Sequence, residues 1–235
     1  MKTFKPLLLF SFLLTILALE TKCAKTDDVE PIFSNNDTSP LTIADDTVYI
    51  NSTISSFVLN EVLYDPPGND STDLEGDANL DGYRTAQDDE FVEFVNNTDS
   101  CINISGCKIF DDDSYASLTY KHQFPSNTFV NPNQAVVVFG GPQETIFDSS
   151  IFGNSLVFAA SESRLNLNNS GDKMLFTDSQ NNVLIEFDIN DHPPSGNSVN
   201  QSYTRNPDLT GDFVQHSDVS STLFSPGTRT DGTPF

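Results

Sequence analysis

The 235-residue sequence contains no tryptophan, three cysteines and three histidines. It has 11 lysine and arginine residues against 34 aspartate and glutamate residues, which gives a net charge of −23 at pH 7. A surface this acidic repels nucleic acids and anionic lipid headgroups, so neither is expected as a partner. The lack of tryptophan argues against a glycan-binding platform, and the 19 phenylalanines indicate a core built on phenylalanine.

Sequence signatures of catalysis are also missing. There is no Gly-x-Ser-x-Gly elbow, no phosphate-binding glycine loop and no His-Glu-x-x-His motif. His122, His192 and His216 are far apart and share no ligand spacing, so each is expected at the surface or at a strand edge. Glu90 and Glu93 lie three residues apart on a predicted strand, whose alternation places them on opposite faces. We therefore assign no catalytic and no cofactor-binding residue, and predict that the protein is not an enzyme.

The N-terminus carries the longest apolar run. Lys2 and Lys5 precede an apolar stretch from residue 7 to residue 19, which is too short to span a bilayer comfortably. This pattern predicts an export signal covering residues 1–22. Its removal takes away three lysines and one glutamate, which changes the net charge from −23 to −25.

Cys23 directly follows this signal, at the position where a lipoprotein is cleaved and acylated. The preceding residues 20–22 depart from the usual small-residue lipobox. Residues 24–28 are similar to the acidic stretch that exports lipoproteins to the cell surface in Bacteroidetes-type bacteria. We expect Cys23 to be lipidated in an outer-membrane or cell-surface lipoprotein that touches the membrane only through this anchor. The alternative is a secreted or periplasmic protein in which Cys23 stays in the propeptide or as a spare thiol.

Beyond the signal, the sequence divides into a tether and one domain. Residues 23–55 lack a strong apolar period and are rich in Asp, Asn, Thr and Ser, which predicts a lipidated cysteine followed by a flexible tether. One short strand is expected at residues 47–50. Residues 56–235 suit a single domain.

Residues 77–88 have the pattern of a twelve-residue calcium loop. Oxygen-bearing side chains fall at positions 1, 3 and 5, a carboxylate falls at position 12, and Gly82 occupies position 6, where a Cβ would be strained. The closing residue is Asp88 rather than Glu, which resembles the dockerin version of the loop. The predicted Ca²⁺ ligands are side-chain oxygens of Asp77, Asn79, Asp81 and Asp88, the carbonyl of Tyr83, and a direct or water-mediated oxygen of Thr85. The alternative interpretation is a solvated acidic turn.

The residues around this loop do not predict the helices of an EF-hand. Segments 57–64 and 90–95 are rich in β-branched and aromatic residues, so the loop is expected to join two strands. A dockerin carries two such loops with helices, and a single loop between strands argues against cohesin binding. A connection this long is usually functional or flexible.

Cys101 and Cys107 are the cysteines left once Cys23 is assigned to lipid. A disulfide between them suits an exported protein. Six residues of straight strand would separate their α-carbons by about 20 Å, so the bridge would require a bend at residues 105–106. Two buried free thiols are the competing interpretation.

Short apolar segments separated by turn residues recur throughout the remaining sequence. The predicted strands are 57–64, 90–95, 101–104, 107–110, 117–124, 134–139, 155–159, 173–177, 183–188 and 201–205. Segment 134–139 is apolar on both faces, as in a central strand of a sandwich. No segment after residue 23 shows a helical stripe with caps. The predicted fold class is therefore all-β, a sandwich with Greek-key-like connections.

These strands resemble a known family. The segments that carry the resemblance are 58–67, 90–97, 102–106, 122–125, 136–141, 167–172 and 224–229. They are similar, in the same order, to the bacterial lamin-tail domain over residues 56–235. The resemblance implies an immunoglobulin-like β-sandwich that serves as a binding or structural module. One departure is Cys107, where the family usually has tryptophan.

Two classes of function follow from these observations. The first is a non-catalytic, calcium-stabilised interaction module at the cell surface, with a protein or glycan partner. The alternative is an accessory domain of an extracellular hydrolase or nuclease system, or a hydrolase with an unrecognised site. The sequence names neither the partner nor the oligomeric state.

Overall fold

The structure is a computed structural model that describes residues 48–49, 56–143, 145–192 and 199–235. The predicted signal peptide and Cys23 lie outside the described residues. The strands are β1 (Val48–Tyr49), β2 (Phe57–Leu63), β3 (Phe91–Asn96), β4 (Ile102–Asn103), β5 (Lys108–Asp111), β6 (His122–Gln123), β7 (Phe129–Val130), β8 (Ala135–Phe139), β9 (Leu156–Ala159), β10 (Lys173–Thr177), β11 (Val183–Asp188), β12 (Tyr203–Asn206) and β13 (Asp212–Gln215). One α-helix, α1, spans Asp112–Ser117. Short 3-10 helices span Leu74–Gly76, Ser149–Phe152, Ile189–Asp191 and His216–Asp218.

The strands form two main sheets and one small one. The larger sheet has the order β13-β12-β2-β3-β8-β9 and is antiparallel except for the parallel β8–β9 pair. The second sheet is antiparallel, with the order β11-β10-β5-β6. In the small sheet, β4 pairs with β1 in parallel and with β7 in antiparallel orientation. The structure confirms the predicted immunoglobulin-like β-sandwich.

Phenylalanine side chains from both main sheets build the principal core. Phe57 of β2 and Phe94 of β3 stack with ring centroids 5.4 Å apart, and Phe176 of β10 lies 4.9 Å from Phe94. All three side chains are at most 1% exposed. Burying one such ring contributes about 1.5–3 kcal/mol, so these contacts join the two sheets firmly.

A second, smaller core covers the other face of the six-stranded sheet. It contains Leu63, Phe91, Val137, Phe139, Phe152 and Ala78. Strand alternation explains the division, because Val136 and Val138 of β8 face the principal core while Val137 and Phe139 face the second. The prediction that segment 134–139 is buried on both faces is therefore confirmed.

The predicted strand at 117–124 is wrong over most of its length. Residues 112–117 form α1, whose first turn is capped by Asp111 through a hydrogen bond from the Ser114 amide (2.7 Å). The helix ends at Leu118, which has the left-handed φ of 54°. Only His122 and Gln123 of the predicted segment lie in a strand. Strands β7 and β13 were not predicted.

Within the described residues, no helix has the length and apolar character needed to cross a membrane.

Candidate metal centre

The acidic loop connects β2 to β3 and brings three of the predicted ligands together. The amide of Asp81 donates hydrogen bonds to Asp77 Oδ1 (3.1 Å) and to Asn79 Oδ1 (2.9 Å). The amide of Gly82 donates to the second Asp77 oxygen (3.0 Å). The chain therefore folds back on the side chains at positions 1 and 3 of the predicted calcium loop.

Backbone conformation at the tip of the loop explains why glycine is needed there. Gly82 has a φ of 92°, which confirms the predicted left-handed turn at position 6. The amide of Tyr83 donates to Asp81 Oδ1 (2.8 Å), and the Tyr83 side chain is exposed. The Thr85 carbonyl accepts bonds from the amides of residues 88 and 89 (both 3.0 Å), so it closes the last turn of the loop.

Asp88, the predicted closing ligand, faces a different partner. Its two oxygens pair with Arg164 Nε (2.5 Å) and Nη2 (3.2 Å). The neighbouring Asp89 turns back toward the loop, where it accepts hydrogen bonds from the amides of Asn79 (3.1 Å) and Thr85 (2.6 Å). Burial raises the pKa of Asp89 to about 6, because its effect is larger than the lowering of the pKa by these two amides. The twelve-residue count pointed to Asp88 and gave no signal for Asp89.

The carboxylates of Asp77 and Asp81 lie close enough for their charges to interact. The pKa of Asp77 is raised, mainly by burial and also by the charge of Asp81. Among the described residues, no three His, Cys, Asp or Glu side chains are arranged as a metal-binding group. One Asp77 oxygen and the Asn79 amide oxygen thus meet at the Asp81 backbone amide, and Asp88 is paired to Arg164.

Contacts with β8 and with the start of the connection hold the loop on the sandwich. Asn79 Nδ2 donates to the carbonyl of Gly141 (3.1 Å), and Ala78 is buried in the second core. Arg84 donates to the carbonyls of Pro66 (2.7 Å) and Pro67 (2.9 Å). The connection is therefore anchored to the sandwich at residues 76–79, while residues 80–83 at its tip are exposed.

A second group of charged side chains lies buried on the same face of the six-stranded sheet. Glu61 of β2 and Glu93 of β3 are cross-strand neighbours, and both are fully buried. Glu61 accepts hydrogen bonds from Ser202 Oγ (2.6 Å) and from the Ser225 amide (2.9 Å) and hydroxyl (2.8 Å). Glu93 accepts from Asn60 Nδ2 (3.0 Å) and from the amide of residue 227 (2.6 Å). The sequence signal for this buried group is a glutamate within a largely apolar strand, Glu61 in β2 and Glu93 in β3.

Burial dominates the electrostatics of this group. It raises the pKa of Glu61, and it raises the pKa of Glu93 well above its usual range with help from the charge of Glu61. Glu90 faces elsewhere and accepts a hydrogen bond from the Leu167 amide (3.1 Å). The prediction that Glu90 and Glu93 do not converge is confirmed.

The sequence matches the Lamin Tail Domain family over residues 51–191, which is more than half of the chain. The chain belongs to the lamin tail domain family. Lamin tail domains are non-catalytic, immunoglobulin-like modules, a character compatible with a role in interaction. No curated protein matches the chain.

The lamin tail domain match ends at residue 191, but the sheet continues beyond it. β12 pairs with β2 through Tyr203 and Thr204, and β13 pairs with β12. Val199 and Tyr203 belong to the principal core. Residues 199–235 are therefore part of the same sandwich, as the broader resemblance over residues 56–235 implied.

The cysteines of this lamin tail domain do not form the Cys101–Cys107 bridge. Cys107 is a free thiol at 2% exposure, and burial raises its pKa to about 12. Cys101 is disulfide-bonded, so it is not a second free thiol either. Cys107 lies in the principal core, at a position where the family usually has tryptophan. Its smaller side chain buries less apolar surface than tryptophan would.

Two of the three histidines are buried, although His122 does lie in the edge strand β6, as one of the two predicted positions allowed. His122 is 2% exposed and lies between Phe124 (ring centroids 4.6 Å apart) and Phe158 (5.4 Å). His216 is fully buried, with Nε2 3.0 Å from Ser225 Oγ. His192 is half-buried against an aromatic ring. In each case an aromatic or polar partner replaces water around the imidazole.

Proposed function

We propose that this lamin tail domain is a non-catalytic interaction module of the cell envelope, stabilised by calcium bound in the 77–88 loop. The observation that supports calcium is the convergence of the Asp77 and Asn79 side-chain oxygens on the backbone amide of Asp81. Calcium takes six to eight oxygen ligands in flexible geometry, which suits a mixed set of carboxylate, amide and carbonyl oxygens. Magnesium prefers a tight octahedron and keeps its waters, so calcium is the expected ion.

The residues present fit calcium with one adjustment. Asp77, Asn79 and Asp81 would hold the ion with the Tyr83 carbonyl and Thr85. Asp88 would close the site only after leaving Arg164. Bound calcium would neutralise the acidic loop and cross-link the connection between β2 and β3.

Calorimetry and melting curves with calcium, magnesium and EDTA test this proposal. An ion that binds only the folded state stabilises it by about 2.7 kcal/mol at a hundredfold excess over Kd, and extracellular sites commonly have Kd values of about 10⁻⁴ to 10⁻³ M. Asp77→Ala and Asp81→Ala should each weaken calcium binding and reduce the melting shift. Asp112→Ala removes an exposed carboxylate from α1 and serves as the charge-matched control.

The outcomes separate the two interpretations of the loop. If Asp77→Ala and Asp81→Ala bind calcium as the wild type does, the acidic stretch is only a packed acidic loop. Comparing Asp88→Ala with Asp89→Ala identifies the closing carboxylate, because only removal of that group should lower the affinity strongly. An Arg164→Gln variant should bind calcium more tightly if Asp88 must leave the guanidinium first.

The module is proposed to act at the cell surface, anchored by lipid on Cys23. The support is the export signal with Cys23 at its end. A Cys23 that carries lipid cannot also be the partner in the Cys101 disulfide, so the lipid anchor and such a bridge exclude each other in one molecule. Intact-mass measurement of the protein isolated from membranes should show the added lipid, and Cys23→Ala should abolish both that mass and the membrane association. A Cys23→Ala protein that stays in the membrane fraction would refute the anchor.

The partner is proposed to be a protein or a glycan, and not a nucleic acid. A net charge of −23 disfavours binding to the phosphate backbone of a nucleic acid. The chain has no tryptophan to stack on sugars, which favours a protein over a glycan as the partner. Affinity capture with the domain, with and without calcium, together with a glycan array, tests this assignment. Salt-sensitive binding to DNA or RNA would contradict it.

A further inference from the structure

Residues 199–235 are fastened to the lamin-tail sheet through a buried polar seam. On the sheet side it contains Asn60, Glu61 and Glu93. Their partners across the seam are Ser202, Leu209, Ser225 and Gly227. His216 completes the group, with Nε2 3.9 Å from Glu61 Oε1 and Nδ1 2.9 Å from the carbonyl of Thr222. This seam coincides with the end of the family match.

The seam leaves two buried polar groups without a hydrogen-bond partner among the described residues. Thr204 lies directly opposite Glu61 in the β12–β2 pairing, and its hydroxyl is buried without a hydrogen-bond partner among the described residues. Asp208 Oδ1 is also buried without a partner in the described part of the chain, and its charge acts on Glu93. An unpaired buried acceptor costs about 1–3 kcal/mol. The Thr204 hydroxyl gives no hydrogen bond to Glu61, whose donors are Ser202 and Ser225.

Carboxyl groups outnumber basic side chains at the seam. Glu61, Glu93 and Asp208 are three carboxyl groups, and His216 is the one basic side chain that pairs with them. The hydrogen bonds from Asn60 and Gly227 favour ionised Glu93, but burial and the two neighbouring carboxylates outweigh them. The remaining groups that face the pair are the neutral side chains of Ser202, Thr204 and Ser225. The charged Arg205 of β12 donates instead to the carbonyls of Leu59 and Gly211.

We propose that residues 199–235 form a proton-controlled latch, which is fastened while the carboxyl groups of Glu61 and Glu93 hold protons and loosens as those protons are lost to solvent. Because both groups have a raised pKa in the folded protein, this stabilisation is complete below the ordinary glutamate value of about 4.5 and is lost as the pH rises through the raised values. The latch is independent of calcium in the 77–88 loop.

Amide hydrogen exchange of the whole protein from pH 5 to pH 8 tests the latch. Protection factors, corrected for the intrinsic pH dependence of exchange, should fall across residues 202–227 by up to about tenfold per pH unit for each carboxyl that must ionise. Peptides from β10, in the opposite sheet, should stay protected. Constant protection of residues 202–227 over this range would overturn the proposal, whether or not any variant folds.

Variants assign the effect to its groups. Glu93→Gln keeps the shape of the side chain without a titrating proton, so it should flatten the pH dependence of the latch. Glu90→Gln is the matched control, because Glu90 is also buried with a raised pKa but contacts the 167 amide instead of the C-terminal segment. If His216→Gln abolishes the pH dependence while Glu93→Gln preserves it, the imidazole controls the segment and the proposal is wrong.

Discussion

Gly140, which directly follows β8, should not tolerate even one added methyl group, because the backbone of the acidic loop packs directly against it. A Cβ at this position would lie 1.8 Å from the carbonyl oxygen of Gln87 and 3.0 Å from its carbonyl carbon. Both atoms belong to the backbone, so the clash cannot be relieved by a side-chain rotation. Gly140→Ala should therefore push the loop away from the sheet.

The expected cost follows from the contacts that this displacement breaks. Overpacking a buried site costs about 1–3 kcal/mol. The hydrogen bonds from Asn79 to the Gly141 carbonyl (3.1 Å) and from the Gly141 amide to the Asp88 carbonyl (3.1 Å) lie beside the clash, and each is worth about 1 kcal/mol. We expect a total loss of roughly 2–4 kcal/mol from a domain whose stability is about 5–15 kcal/mol.

Urea denaturation of the wild type and Gly140→Ala measures this loss. Gly232→Ala is the control, because a Cβ there meets no atom within 4 Å and only the left-handed φ of 82° is penalised, by about 1–2 kcal/mol. Calcium affinity should fall in Gly140→Ala and stay unchanged in Gly232→Ala. A Gly140→Ala protein at least as stable as Gly232→Ala would show that the loop is not seated on β8.

Three further predictions concern the core. Phe94→Ala should cost about 3–5 kcal/mol in chemical denaturation, because the ring touches both Phe57 and Phe176, and a loss below 1 kcal/mol would contradict the packing between the sheets. Burial lowers the pKa of His122 from 6.5 to about 4, so the free energy of unfolding should decrease by up to about 3 kcal/mol as the pH falls from 6.5 to 4. Melting curves of His122→Phe should lack this part of the pH dependence. Cys107 should resist thiol reagents in the native protein and react fully in denaturant, whereas rapid native labelling at this residue would show that its surroundings open readily.

Sequence periodicity identified most of the sandwich because its central strands are long and apolar. Segment 134–139 had no polar face, and β8 is buried on both sides. Periodicity failed where elements are too short to show a period. Helix α1 has six residues, and only the pair Asp111 and Ser114 marks its start as a capping box. Strand β7 has two residues, and its place depends on pairing with β4.

The candidate metal centre was predictable as a local pattern but not as a three-dimensional arrangement. Alternating oxygens and Gly82 set the wrap of the loop, and both follow from residues adjacent in sequence. The pairing of Asp88 with Arg164 joins residues 76 positions apart, and no local rule anticipates it. Similarly, the hydrogen bond from the Ser225 amide to Glu61 joins residues 164 positions apart. Long-range partners decide which carboxylates are free, and one sequence without its fold does not show them.

If the proposed lipid is attached to Cys23, the pairing of β1 with β4 would limit how far the domain can lie from the membrane. Val48 and Tyr49 pair with Ile102 and Asn103, so the sandwich begins at residue 48 and not at residue 56. Lipid on Cys23 would leave residues 24–47 as the connection, and 24 residues span at most roughly 80–85 Å whatever path they take. A connection ending at residue 55 would reach roughly 110 Å. These two residue pairs would thus remove about a quarter of the reach, and a partner of a lipid-anchored domain would have to come within the shorter distance of the bilayer to be bound.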